Sequence, residues 1–253
     1  MAKGFDCSTP LTQAALDNLS GHPFDFVCRY LAPAAWKSFK ALTVSEAKLI
    51  TANRKKIVST WETIAGAAAQ GASAGKDAGI FALQAAREVK QPEGTKIYFT
   101  VDFEASESQY ETIAEYFIAA DAEIPGYEID GYGNDKIIKY LKIRGIIRKG
   151  WQTIAWSEGR IADDISIRQY DCGPNGQGLI VNGVLLDLDE SFGGEGWWDT
   201  DMLKPTLDPG VATTIINTWI SPAWHNTTDQ QQKDYLHWLA NQLRESSGQP
   251  VQG

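Results

Sequence analysis

The sequence predicts an α/β fold, an irregular (β/α)8 barrel of the TIM type with a small C-terminal helical extension. Two observations lead there. Eight short runs rich in Val, Ile, Phe and Tyr recur along the chain, and amphipathic segments of helical period separate the first six of them. A third observation bears on the alternative, an open doubly wound sheet. No GxGxxG follows the first run, so a dinucleotide-binding version of that fold has no support.

The first strand is expected at residues 3–8. Ser8, Thr9 and Pro10 then supply N-cap and first-turn chemistry for a helix at 11–19. A strand at 24–31 leads to a helix at 43–53, where TVSE sets Thr43 and Glu46 at capping-box spacing. After a third strand at 56–61, a helix at 75–90 puts Ala78, Phe81, Ala82, Ala85 and Val89 on one face. The fourth strand is expected at 96–104 and its helix at 106–124. The fifth strand, 127–132, precedes a helix at 135–143 with Asp135 near its start and Lys142 near its end, as the helix dipole favours. Strands at 150–156, 165–171 and 184–189 complete the eight. Their connections are short and hold little helix, which makes the barrel irregular.

Residues 193–209, rich in Gly, Asp and Pro, read as a linker or long loop. Helices at 211–219 and 230–244 follow, and the tail SSGQPVQG is expected to be loose. The division is a barrel over 1–200 and a linker with helices over 201–253.

Composition removes several classes of function. With 32 acidic against 23 basic residues the formal net charge is −9, so phosphate backbones are repelled and nucleic acid is not an expected partner. The three cysteines are irregularly spaced, with no CxxC and no Cys/His cluster, so neither a disulfide framework nor a structural zinc is expected. No metal and no cofactor is called for. No run of about 20 apolar residues occurs, which argues against membrane insertion. The N-terminus MAKGFDCS lacks an apolar signal core. The expectation is a chain cytoplasmic as synthesised that acts on a cell wall only after release. Trp, Tyr and Phe number nine each, enough for some to stack on sugar rings beyond those filling the core.

In such barrels the reactive groups gather at the C-terminal ends of the strands. Reading those ends gives Asp6, Glu62, Asp102 with Glu104, Tyr132 with Asn134, Trp156, Gln169 with Asp171, and Asp187 with Asp189. IYFTVDFEAS is the sharpest of these signals. Residues two apart on a strand share a face, so Asp102 and Glu104 would stand together, with Val101 and Phe103 turned to the helices. Neighbouring carboxylates raise each other's proton affinity, and a carboxyl protonated near neutrality can protonate the leaving oxygen of a glycosidic bond. A lone DxE equally suits a metal site, a salt bridge or a solvated strand end; Asp6 and Asp187 at the same end favour catalysis. Glu62, Tyr132, Trp156 and Gln169 are the expected substrate-binding residues. His22, His225 and His237 fall in no HExxH and read as surface or packing residues. WSEG is not a GxSxG elbow, and no histidine neighbours Cys7 in sequence.

GFDCS, the stretch from TWET through GKDAG, IYFTVDFE, YEIDGYGN, WQTIAWSEG and RQYDCG followed by LLDLD occur in this order over roughly residues 3–192. Together they resemble the glycoside hydrolase-like domain family called DUF1906, or Rv2525c-like. That family is similar in turn to the family 25 glycoside hydrolases, the muramidases of bacterial and phage cell-wall lysis. The resemblance implies Glu104 as general acid/base and Asp102 as its partner, acting through the substrate's N-acetyl group or as nucleophile. It implies that Asp6 and Asp187 set the electrostatics and orient the sugar. The family 18 chitinase pattern DxxDxDxE also ends in DxE, but its earlier aspartates would fall at Ile97 and Thr100.

The leading expectation is a peptidoglycan hydrolase cleaving β-1,4 bonds next to N-acetylated sugars. The others are a non-catalytic glycan-binding module on the same barrel and a hydrolase of another polysaccharide. For the C-terminal helices, packing or spacing stands against wall targeting or self-association through Trp219, Trp224 and Trp238.

Overall fold

The computed structural model describes residues 1–203 and 207–252. The chain divides into two compact units, Met1–Thr200 and Asp201–Gly253.

The first unit is the barrel. In chain order its elements are β1 (Lys3–Asp6), α1 (Gln13–Asn18), β2 (Phe24–Leu31), α2 (Val44–Ala52), β3 (Lys56–Trp61), α3 (Ala72–Glu88), β4 (Lys96–Thr100), α4 (Tyr110–Asp121), β5 (Glu128–Gly133), α5 (Asp135–Ile143), β6 (Trp151–Gln152), β7 (Ile167–Asp171), β8 (Leu179–Val181) and β9 (Val184–Ser191). Strands β1 to β7 pair in sequence order, all parallel, and β9 joins β7 to β1 and closes eight strands into a ring. The barrel is therefore mostly parallel and TIM-like, with helices around it.

Alternation along the strands builds two cores. On β2, Phe26 and Cys28 point inward to a cluster with Val58, Tyr98, Tyr132, Trp151 and Ile167, while Val27 and Leu31 join the larger layer under the helices. Strands buried on both faces are what a parallel barrel requires. Helices α3 and α4 pack closely because α3 carries Gly75 and Gly79. A Cβ on Gly75 would sit 2.1 Å from the Tyr116 carbonyl oxygen. Gly75→Ala is thus expected to destabilise the protein by about 1–3 kcal/mol through overpacking, although Ala is the better helix former. Urea unfolding checks this, and an unchanged midpoint would show that the two helices can part freely.

Four sequence expectations need correction. The fourth strand ends at Thr100, not 104, and the sixth spans only Trp151–Gln152. The eighth barrel strand, β9, runs antiparallel to both neighbours. It is the second arm of a hairpin whose first arm, β8, was not anticipated. The hairpin turns at Asn182–Gly183, both at positive φ (48° and 85°), a conformation that Asn-Gly favours. Finally, of the linker or long loop expected at 193–209, residues 193–199 are a loop, and the loop is packed against the barrel and not free. Trp198 is fully buried, exchanges backbone hydrogen bonds with Ile57 and donates its Nε1 to Ser59 Oγ at 2.9 Å. Tyr98 donates its hydroxyl to the Glu195 carbonyl at 3.0 Å. Lys96 bonds the Gly194 carbonyl and the buried Asp130 carboxylate, each at 2.7 Å. This stretch closes the barrel at the N-terminal ends of its strands. Residues 204–206 of the expected linker lie outside the described residues.

The second unit contains α6 (Pro209–Ile215), a π-helical turn at Ile216–Ile220, α7 (Ser221–Asn226) and α8 (Gln230–Ser246). Its small core comprises Ile216, Ile220 and Ala240 with Ile215, Leu236, Leu239 and Leu243 packed around them. Trp219, Tyr235 and Trp238 are exposed. The tail is tied down: Gln249 Nε2 donates to the Pro209 carbonyl at 3.0 Å and Asn241 Nδ2 to the Gln252 carbonyl at 2.9 Å. Among the described residues no helix is long and apolar enough to cross a membrane.

Candidate active site

A cavity of about 440 Å3 opens at the C-terminal ends of the parallel strands. Asp6, Glu62, Asp102 and Asp187 line it, from β1, the residue after β3, the segment after β4, and β9. Strand direction explains Asp187. Because β9 is antiparallel, its first half reaches the mouth, and Asp187 pairs in register with Asp6. Asp189, paired with Gly4, lies deeper and is fully buried.

Gln169 organises the acidic side. Its Oε1 accepts from the Tyr132 hydroxyl at 3.1 Å and the Thr153 hydroxyl at 2.7 Å, and its Nε2 donates to Asp6 Oδ2 at 2.9 Å and Asp187 Oδ2 at 3.3 Å. The reversed amide would aim a carbonyl at two carboxyls, so the network fixes its orientation. Asp189 accepts from Trp151 Nε1 at 2.9 Å. Asp187 Oδ1 is buried and has no hydrogen-bond partner among the described residues.

Burial, and then the charge of Asp187, push the Asp6 carboxyl up to about 8. Burial pushes Asp189 far above the carboxylate range, with the charge of Asp6 adding to it. The two carboxyls are in hydrogen-bond contact, so they hold a proton between them. Asp187 rises to about 6 through burial and the charges of Asp102 and Asp171. Burial also raises Glu62 and Asp102, and in both the charge of Lys40 works against the rise.

These shifts bear on stability. Folded values of about 8 and about 6 against ordinary values of 3.8 mean that the folded state binds more protons than the unfolded one between those limits. The contribution is full below the unfolded value and is lost as pH rises through 6 and 8. Melting temperature should therefore fall from about pH 4 to about pH 8, and Asp189→Asn should flatten the fall. A variant that falls as steeply as the wild type would remove the shared proton from the account.

The other expected site residues divide. Tyr132, Gln169 and Trp156 line the cavity. Tyr132 and Gln169 are buried and spend their polar groups on holding Asp6 and Asp187. Trp156 has a left-handed backbone, φ 55°, a strained conformation of the kind that gathers at functional sites. Glu104 does not line the cavity; its side chain is exposed. The alternation expected to set it beside Asp102 stops because the strand ends at Thr100. Val101 and Phe103 do face the core. Asn134 caps α5 by accepting from Ile137 N at 2.9 Å. Asp171 lies outside the cavity wall and accepts from Gly173 N. Sequence reading missed Tyr30 and Thr153 in the wall; the strand-end rule applied to the second strand finds Tyr30. It also missed Arg29, fully buried and paired with Glu46 at 2.7 Å, although a charge inside FDFVCRYL is a visible signal. No group of three or more His, Cys, Asp or Glu among the described residues could hold a metal ion.

The model of the Rv2525c-like, glycoside hydrolase-like domain matches residues 17–243. The chain belongs to this family. The match begins after Asp6 and runs beyond the barrel into the second unit. Among solved structures, this Rv2525c-like chain is similar to the Tat-secreted protein Rv2525c of Mycobacterium tuberculosis. The two are 22% identical with a TM-score of 0.65, over 78% of this chain and 98% of that one. An uncharacterized B. stearothermophilus protein is 14% identical, TM-score 0.60, over 78% of this chain and all of that one (100%). The catalytic domain of endolysin ply40 from bacteriophage P40 of Listeria monocytogenes is 12% identical, TM-score 0.50, over 76% and 93%. At these identities the likeness is one of fold. No curated protein matches the chain.

Proposed function

We propose that the barrel mouth binds cell-wall glycan, peptidoglycan or a related polysaccharide, and hydrolyses β-1,4 bonds next to N-acetylated sugars. The observation that carries this is the convergence of Asp6, Asp102, Asp187 and Glu62 on one cavity, with Asp187 near 6 and Asp6 near 8. Carboxyls with proton affinities this far apart in one site can divide acid from base work near neutrality. Glu104 is the acid/base residue and Asp102 its partner. Glu104 stands two residues beyond the wall in a segment without helix or strand, within about 7 Å of Asp102 along the backbone.

A second reading, glycan binding without turnover, is favoured by one observation, the exposed Glu104 side chain outside the cavity. Purified protein incubated with bacterial cell walls separates the two. Release of new reducing ends supports hydrolysis. Sedimentation with the walls and no cleavage product supports binding alone. Neither binding nor cleavage on any wall overturns both.

A further inference from the structure

Among the described residues no Lys or Arg lines the cavity, yet one cation reaches its wall. Lys40 lies on the loop between β2 and α2. Its Nζ stands 3.6 Å from Glu62 Oε2 and 4.8 Å from the centre of the Tyr30 ring, and both of these residues line the cavity. An exposed lysine would spread over many rotamers, with about 2 kcal/mol of side-chain entropy to lose. Here the backbone beneath it is fixed. Arg29, fully buried, donates from Nη2 to the Lys40 carbonyl at 3.2 Å. The same guanidinium bonds Glu46 on α2 and the carbonyl of Cys7, the residue after Asp6. Ala41 forms a bridge to Tyr30, and Leu42 N donates to the Tyr30 carbonyl at 2.8 Å. One buried cation thus ties the end of β1, the start of α2 and the seat of Lys40 together.

We propose that Lys40 is a positioning residue of this cavity: from its place over the Tyr30 ring it holds the Glu62 carboxylate against the wall and supplies positive charge to the Glu62–Asp102 side. Glu62 faces Lys40, Asp102 and Tyr30. Asp102 faces Lys40 and acts on Asp6, Asp187, Tyr30 and Tyr132. Both phenols are pushed up by burial and stay neutral, so among the described residues Lys40 is the charge that offsets repulsion on this side. The proposal deepens the hydrolytic reading, and it rests on that reading only in taking this cavity as the reactive one.

The test reads the carboxyls themselves. Carboxyl 13C resonances of Glu62 and Asp102 are titrated in the wild type, Lys40→Met and Lys40→Arg. Both midpoints are expected to rise by about one pH unit in Lys40→Met, as loss of an adjacent opposite charge dictates, and to keep their wild-type values in Lys40→Arg. Lys40→Gln gives the same reading if the Met variant does not fold. Unmoved midpoints in a folded variant overturn the proposal. If the midpoints move but no cell wall is cleaved, Lys40 keeps its role and the hydrolytic reading falls. Where cleavage occurs, the acid limb of its pH profile should move up with the same midpoints.

Discussion

Asp102→Asn is expected to lower release of reducing ends from cell walls by about 10²–10⁴-fold, the range for loss of a carboxyl taking part in proton transfer. Its stability should move the other way. Among the described residues the Asp102 carboxyl has neither a hydrogen bond nor an ion pair of its own, and its charge raises the proton affinity of Asp6 and Asp187. An amide of the same shape removes that repulsion, so the melting temperature should hold or rise. Inactive but undamaged protein is the signature of a functional carboxylate; inactivity with a lower melting temperature would mark a structural one. Glu104→Gln is expected to lose activity to the same extent. If it cleaves at the wild-type rate while Asp102→Asn does not, the proton comes from the cavity wall. Asp187, with its unpartnered Oδ1 and a value near 6, is then the donor.

The second large effect is on folding. Arg29→Met should cost about 3–5 kcal/mol, because it leaves the Glu46 carboxylate buried and without its cation. Arg29 and Glu46 have side-chain exposures of 0% and 5%, so water cannot compensate. The variant also strands the carbonyls of Cys7 and Lys40. Arg29→Met combined with Glu46→Gln should recover part of the loss, since the glutamine is neutral and its oxygen can still accept from Leu11 N, which now bonds Glu46 Oε1 at 2.9 Å. Urea midpoints of the three proteins measure this. An Arg29→Met midpoint equal to that of the wild type would mean that the charge escapes to solvent.

Several features of the fold were legible for a simple reason. Segments such as FDFVCRYL and KIVSTW are rich in β-branched and aromatic residues and are bounded by proline or by charged residues. Their strands run over the expected residues, Phe24–Leu31 and Lys56–Trp61. Such a pattern says that a strand exists but is silent on its direction. Direction follows from the connection, and parallel neighbours need a crossover, usually helical. The absence of a helix before VLLDLDES, together with Asn182–Gly183, held the sign of an antiparallel strand. Asp187 was expected at a strand's last residues; it reaches the mouth from the strand's first half. Glu104 shows the other limit. Alternation holds only while the ladder lasts, and nothing in TVDFEAS announces that pairing stops after Thr100. Gln169 was legible as a polar strand end, but its role as a bridge between two carboxyls depends on partners far apart in sequence.

The stretch through Glu195, Trp197 and Trp198 has a consequence for traffic. With Trp197 against Phe26, the Tyr98 hydroxyl bonded to the Glu195 carbonyl, and Tyr98 and Trp151 filling the space above, the ring has a floor. The opening is a blind well and not a tunnel. Anything that enters must leave by the same mouth, and a long polymer can only be draped across it, never threaded through.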